Sequence, residues 1–188
     1  MKTTIFSRLK WWQLALVSIA ASALGGLSSM RSGKKERALY NKKLKQSPWA
    51  PPSWVFAPAW TINNLFVLLA LQRLVNSDIP EKKKLLVLQA AIWTVFFSFG
   101  YVYFNKKSSI LGAIWTKADA VLALISFLIA YKSDRKLASY YLPLLGWTSF
   151  ASSLADYQAL KNADPVFNTK PLLEYIPKKM VPPVLAAL

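Results

Sequence analysis

The sequence predicts an all-α integral membrane protein built as a five-transmembrane-helix bundle. Of its 188 residues, 54% are hydrophobic, and they fall in five blocks of about twenty, the length needed to cross a bilayer. Nearly all of the 24 lysines and arginines, against 8 acidic residues, lie between these blocks. Residues 1–162 are therefore expected to form one domain, and the proline-rich residues 163–188 an extended or disordered tail. The predicted helices are about 11–30, 54–75, 85–104, 110–131 and 140–160.

Composition excludes several classes of function. The net charge is +16, but the basic residues are spread over every connecting loop rather than along one face, so we expect no nucleic-acid partner. The chain has no cysteine and no histidine, which excludes disulfides, Cys or His nucleophiles and an imidazole-ligated haem. We therefore expect no metal, no cofactor, no catalytic residue and no enzymatic activity.

The basic stretches set the predicted topology. The first apolar block is long for a signal peptide, which favours a retained first helix. The basic loop 31–47 is expected to be solvated and to touch anionic lipid, with part of it able to form a short interfacial helix. More lysines and arginines fall on the side that holds the C-terminus, so the positive-inside rule predicts a cytoplasmic C-terminus. The membrane is either a bacterial inner membrane or an organelle membrane.

Polar residues inside the apolar blocks predict helix faces that point inward. Asn63, Asn64 and Gln72 lie in the second block, and lipid offers such side chains no hydrogen-bond partner. In the fourth block, Lys117 can extend to the interface, whereas a carboxylate at Asp119 would be costly if it faced lipid. We expect a structural role for Asp119.

The stretch 48–60 reads Pro-Trp-Ala-Pro-Pro-Ser-Trp-Val-Phe-Ala-Pro-Ala-Trp. Pro51 and Pro52 cannot lie inside a helix, because each lacks a backbone N–H and clashes with the preceding turn. A long apolar block follows the prolines, so this stretch is expected where a helix enters the membrane. The indoles of Trp49, Trp54 and Trp60 would then lie at or just below headgroup level, where an indole finds apolar contacts and a hydrogen-bond partner. Two interpretations stay open: an aromatic belt with no other role, or part of a ligand site.

Together with the five blocks, this stretch resembles the TspO/MBR family, the tryptophan-rich sensory proteins also called translocator proteins or peripheral-type benzodiazepine receptors. The family pattern is Trp-x-Pro-Pro-x-Trp-x-x-x-Pro-x-Trp, and the chain supplies every position from Trp49 to Trp60. Trp93, Phe96 and Phe97, with Thr94 in place of serine, resemble the family's Trp-Ser-x-x-Phe-Phe element with one residue fewer before the phenylalanines. The element Pro-Tyr-x-x-Trp-x-x-Phe-Ala-x-x-Leu-Asn is matched by Pro143, Trp147, Phe150, Ala151 and Leu154.

The chain also departs from the family pattern, as a divergent member would. Ala90 and Ala155 stand where the family has asparagines, and Leu144 stands where it has a tyrosine. The loss of the two asparagines predicts a repacked or less polar interior. Trp115 and Asp119 resemble a Trp-x-x-x-Asp pair in the family's fourth helix.

The resemblance implies a five-helix bundle, commonly a homodimer, that binds tetrapyrroles such as protoporphyrin IX, or sterol-like ligands, between its helices. Two other functions remain open: tryptophan-dependent photo-oxidative degradation of porphyrin, and a structural role without a small-molecule ligand. Trp49 and Trp54 are implied to lie near the lid of the pocket. The other residues implied to bind ligand are Phe56, Ala57, Trp60, Trp93, Trp147, Phe150, Ala151 and Leu154.

Overall fold

Five long helices dominate the computed structural model, which describes residues 5–28, 33, 35 and 42–174. The predicted all-α five-helix bundle is confirmed. Most of the basic loop 31–47 lies outside the described residues, as do residues 29 and 30 of the first predicted helix. The long helices are α1 (Trp11–Leu27), α2 (Phe56–Val75), α3 (Lys82–Gly100), α4 (Ser109–Ser133) and α5 (Leu142–Lys161). The shorter elements are 3₁₀ turns at Ile5–Arg8, Ser53–Val55 and Leu172–Glu174, a π-helical turn at Tyr101–Asn105 and a short helix at Arg135–Ser139.

Local chemistry sets where the helices begin. A 3₁₀ turn follows the Pro51-Pro52 pair, so α2 begins at Phe56 rather than at residue 54. The Ser108 hydroxyl caps α4 by accepting a hydrogen bond from the Leu111 N–H at 3.0 Å. Pro143 lies in the first turn of α5, where a backbone N–H would be unpaired in any case.

The bundle is densely packed at one end and hollow at the other. Its buried core comes from the second half of α2, the first half of α3, the second half of α4 and the start of α5. Leu74, Leu85, Leu137 and Tyr141 are completely buried there. This dense end lies away from the loop that joins α1 to α2. It holds the helices in place around the open end.

Polar side chains of α2 turn inward, as predicted from the lack of partners in lipid. The Asn64 amide donates to the Ser22 hydroxyl of α1 at 3.0 Å. Gln72 donates to the backbone carbonyl of Leu9 at 2.6 Å, which ties α2 to the segment before α1. These contacts fix the positions of neighbouring helices, because each replaces a hydrogen bond that the bilayer cannot supply.

The first part of the C-terminal tail is ordered, in contrast to the extended or disordered tail expected from residue 163. Asp164 pairs with Thr169 in an isolated antiparallel bridge and is 1% exposed. One of its oxygens accepts hydrogen bonds from the Ser108 hydroxyl at 2.7 Å and the Ile110 N–H at 2.9 Å. The tail is anchored because Asp164 binds donors at the start of α4. Residues 175–188 lie outside the described residues.

The outer surface of the bundle is apolar. Three of the described helical segments are long and apolar enough to cross a membrane, at Ser53–Val75, Lys82–Asn105 and Ser109–Ser133. Helix α1 is apolar but has 17 residues, and the polar residues in the second half of α5 lower its hydropathy. Large side chains such as Leu16, Val87 and Val121 are more than half exposed on the outside. A bilayer is the solvent that suits such a surface.

Candidate ligand cavity

The open end of the bundle encloses a cavity of about 910 Å³. Protein pockets for small molecules usually occupy about 300–1,000 Å³ and are mostly apolar. All five long helices and the α1–α2 loop contribute to the wall of this cavity. We call its loop end the mouth (Lys42, Gln46 and Pro51) and the opposite end the floor (Ile19 and Asp119). Between them the wall includes Ala23, Gly25, Phe56, Ala57, Trp60, Phe96, Phe99, Tyr103, Trp115, Ala151 and Leu154.

Half of the residues implied to bind ligand line this cavity. Phe56, Ala57 and Trp60 come from the first turns of α2, and Ala151 and Leu154 come from α5. The Trp60 ring also packs against Phe96 of α3, with 5.6 Å between ring centroids. Part of the sequence motif therefore forms cavity wall in addition to any role at the membrane interface.

Trp147 and Phe150 do not line the cavity, although the family resemblance implied that they would. The Trp147 ring packs edge-on against Phe56 and Trp60, with ring centroids 5.5 and 6.5 Å apart. Trp147 precedes Ala151 by one helical turn, about 6 Å further toward the dense end. Phe150 packs against Trp147 and is 38% exposed. Trp147 therefore supports two rings of the cavity wall from behind, and Phe150 packs in turn against Trp147.

Trp49 and Trp54 lie near the mouth, but neither ring lines the cavity. Trp54 is 72% exposed. The Trp49 indole N–H donates to the Ser153 hydroxyl at 3.1 Å, and its ring packs edge-on against Tyr157 at 5.5 Å. Trp49 therefore fastens the α1–α2 loop to α5.

A second set of contacts, which we call the loop latch, is formed by Lys45, Gln46, Gln158 and Asn162. The Lys45 N–H donates to the Asn162 side-chain oxygen at 2.8 Å, and the Asn162 amide donates to the Lys45 carbonyl at 3.2 Å. The Gln158 amide donates to the Gln46 side-chain oxygen at 2.5 Å. Gln158 also accepts a hydrogen bond from the Tyr103 hydroxyl at 2.8 Å. The latch holds the loop across the mouth.

Two glycines leave room for aromatic rings of the cavity wall. A Cβ added to Gly25 would lie 2.7 Å from the Phe96 ring, and one added to Gly112 would lie 2.7 Å from the Tyr103 ring. Trp93, the tenth implied residue, packs behind the wall against Phe96 at 5.8 Å. No sequence signal indicated Tyr103 or Gly112 as residues of the wall. The π-helical turn that carries Tyr103 is a feature often found at functional sites.

The wall contains one carboxyl group among the described residues, Asp119. It is 1% exposed, and its Oδ1 has no hydrogen-bond partner within the described part of the chain. Other buried polar groups in the wall are paired. The Thr116 hydroxyl donates to the Gly112 carbonyl at 2.7 Å, and the Trp115 indole donates to the Ser98 hydroxyl at 2.8 Å. Asp119 faces the cavity rather than lipid, so its carboxyl is open to a ligand instead of to the bilayer.

Comparison with known proteins identifies the family to which the chain belongs. The sequence profile of the TspO/MBR family matches residues 5–159, which cover nearly the whole bundle. The chain belongs to the TspO/MBR family. Over 147 residues it is 29% identical to the tryptophan-rich protein TspO of Chlorobaculum tepidum, a match that spans 75% of this chain and 90% of that protein. Family membership and the apolar helices together confirm a membrane protein.

The structure separates the two alanines that depart from the TspO/MBR pattern. Ala155 lines the cavity, whereas Ala90 is exposed on the outer side of α3. The replacement at position 155 therefore makes the cavity wall less polar, and the replacement at position 90 changes the outer surface. The sequence alone does not distinguish these two positions, because it gives neither their depth in the bundle nor the direction of their side chains.

Proposed function

We propose that this protein is a membrane receptor or carrier that binds a tetrapyrrole or a sterol-like molecule in the cavity. The observation that carries the proposal is the cavity itself, about 910 Å³ in volume and walled by all five helices. A bundle whose tryptophans served only as anchors would not need a hollow end. Offset and edge-on contacts with Phe56, Trp60 and Phe96 suit a flat apolar ring system.

The charge distribution favours one orientation for an acidic ligand. Lys42 lines the mouth, and Lys43 and Lys45 lie beside it in the α1–α2 loop. The carboxylates of a tetrapyrrole such as protoporphyrin IX can pair with these lysines while its macrocycle lies among the aromatic rings. The reverse orientation would bring carboxylates toward Asp119, and like charges repel in a low-dielectric site.

The test is a titration of the detergent-solubilised protein with protoporphyrin IX, followed by quenching of tryptophan fluorescence. We expect saturable quenching, because Trp60 and Trp115 lie in the cavity wall. Ala155→Phe places a ring inside the cavity and should weaken binding at least about tenfold, equivalent to about 1.4 kcal/mol. The matched control is Ala90→Phe, which adds the same ring on the outer surface and should leave the affinity unchanged.

Two results would refute the proposal. One is that the wild-type protein shows neither saturable quenching by protoporphyrin IX nor saturable binding of a radiolabelled sterol. The other is equal affinity in the Ala155 and Ala90 variants, which would place the ligand outside the cavity. Homodimer formation, a cytoplasmic C-terminus and action by binding rather than catalysis stay predictions.

A further inference from the structure

A buried carboxyl group lies at the floor of the cavity. Asp119 is ten residues beyond the start of α4, about 15 Å along the helix from the mouth. Helix α4 begins at the same end of the bundle as the α1–α2 loop, since Asp164 binds its first turn and Asn162 holds the loop. The cavity is therefore basic at the mouth and acidic at the floor.

No protein group within the described residues satisfies this carboxyl. Its Oδ1 is fully buried without a hydrogen-bond partner. The nearest lysine in sequence, Lys117, is 55% exposed and bonds instead to Asp156 on the outer surface at 2.5 Å. A buried polar group left unpaired costs about 1–3 kcal/mol, and a charged one costs more. Other buried polar groups of the wall avoid this cost by bonding to protein.

We propose that Asp119 recognises a hydrogen-bond donor, above all a cationic N–H group, on the end of the ligand that enters first. The inference rests on the proposed function and narrows its ligand class. The preferred ligand is a flat apolar molecule with an amine or hydroxyl at its buried end, and any acidic group lies at the mouth near Lys42. Asp119 supplies an acceptor that gains its partner only when this ligand is bound.

The test uses four probes that share one flat ring system and differ in a single substituent: pyrenemethylamine, pyrenemethanol, methylpyrene and pyreneacetic acid. Binding to the full chain in detergent is measured by energy transfer to pyrene from the indoles of the wall, Trp60 and Trp115. Wild-type protein should bind the amine about tenfold more tightly than methylpyrene, as expected for a hydrogen bond to a charged group. The alcohol should bind with intermediate affinity, and the acid should bind most weakly.

Two substitutions at the floor and one outside the cavity separate the causes. Asp119→Asn keeps the shape of the side chain but removes its charge, and Asp119→Leu removes both acceptors. In the Leu variant the preference for the amine should fall to within about twofold, and in the Asn variant, which keeps one acceptor oxygen but loses the charge, it should fall to an intermediate value. Asp156→Asn makes the same chemical change on the outer surface, where Asp156 is 40% exposed. The Asp156→Asn variant should bind the four probes in the same order of affinity as the wild-type protein. It also shows how much of the signal comes from partition of the probes into detergent.

Each outcome decides the inference. Equal binding of the amine and methylpyrene by the wild-type protein overturns it, as does a preference that is undiminished in the Asp119→Asn variant. The Asn variant is decisive if the Leu variant does not fold. If protoporphyrin IX quenches saturably but no probe binds, the inference fails and the proposed function stands. If protoporphyrin IX, a sterol and all four probes fail to bind, both fail.

Discussion

Asn162 is expected to control how often the α1–α2 loop leaves the mouth of the cavity. Its side chain makes two hydrogen bonds to the Lys45 backbone, at 2.8 and 3.2 Å, and is 8% exposed. A neutral hydrogen bond contributes about 0.5–1.5 kcal/mol net, so Asn162→Ala should destabilise the closed loop by about 1–3 kcal/mol. That range corresponds to an opening equilibrium raised by about 5- to 150-fold.

Hydrogen exchange of the loop amides measures this effect directly. The Lys45 amide should exchange faster in the Asn162→Ala variant by the same factor, because local opening limits its exchange. Amides in the dense end of the bundle, such as that of Leu137, should be nearly unchanged. Asn162→Asp keeps the acceptor for the Lys45 N–H but loses the donor, so its exchange should be intermediate. Unchanged exchange at Lys45 in the Ala variant would refute the latch.

Three further substitutions test the packing and the charges of the bundle. Gly25→Ala should lower stability by about 1–2 kcal/mol and weaken ligand binding, since the new methyl group displaces the Phe96 ring of the wall. Gly146→Ala is the control in thermal melts, because a methyl group there would meet no atom of the described residues within 4 Å. Asp134→Asn keeps a helix cap but loses the charge and one of the two hydrogen bonds from Arg73, which measure 2.6 and 3.0 Å, and should cost about 1 kcal/mol. The hydrogen bond from Arg73 holds the pKa of Asp134 below its ordinary value. The loss of stability in the Asp134→Asn variant should therefore be full above about pH 4 and should disappear as pH falls through the lowered pKa. A stability difference between wild type and variant that does not change with pH would contradict the pairing. Asp164→Ala removes an acceptor of four hydrogen bonds and should cost about 2–4 kcal/mol, measured by denaturation in detergent. Burial favours the protonated form of Asp164, but the hydrogen bonds from the start of α4 and from its own turn hold its pKa below the ordinary value. The stabilisation by Asp164 should therefore be lost only as pH falls through this lowered pKa.

Much of the bundle could be predicted because the bilayer imposes a simple rule on the sequence. Apolar blocks of about twenty residues must become helices, since lipid offers no partner to the backbone. Prolines and serines then mark where helices begin, as Pro52 and Ser108 do here. The tail was predicted less well. Asp164 gives no sequence signal of its position, because its partners lie more than fifty residues earlier in the chain.

The candidate site was predicted in part. Residues on one helical face can be grouped by their spacing, as Ala151 and Leu154 of α5 can. Spacing does not tell how far a cavity extends along that face. Trp147 lies one turn further toward the dense end and packs behind two rings of the cavity wall, Phe56 and Trp60.

The sequence by itself determined the helical architecture, the membrane as solvent and the family, because these follow from local composition and from a motif contiguous in the chain. The tertiary structure alone decided which end of the bundle is hollow and which side chains meet there. Within the described part of the chain, Asp119 Oδ1 has no partner because of how five helices pack around it, and the latch joins residues more than a hundred positions apart. Such properties depend on contacts between distant segments, which no local pattern of residues encodes.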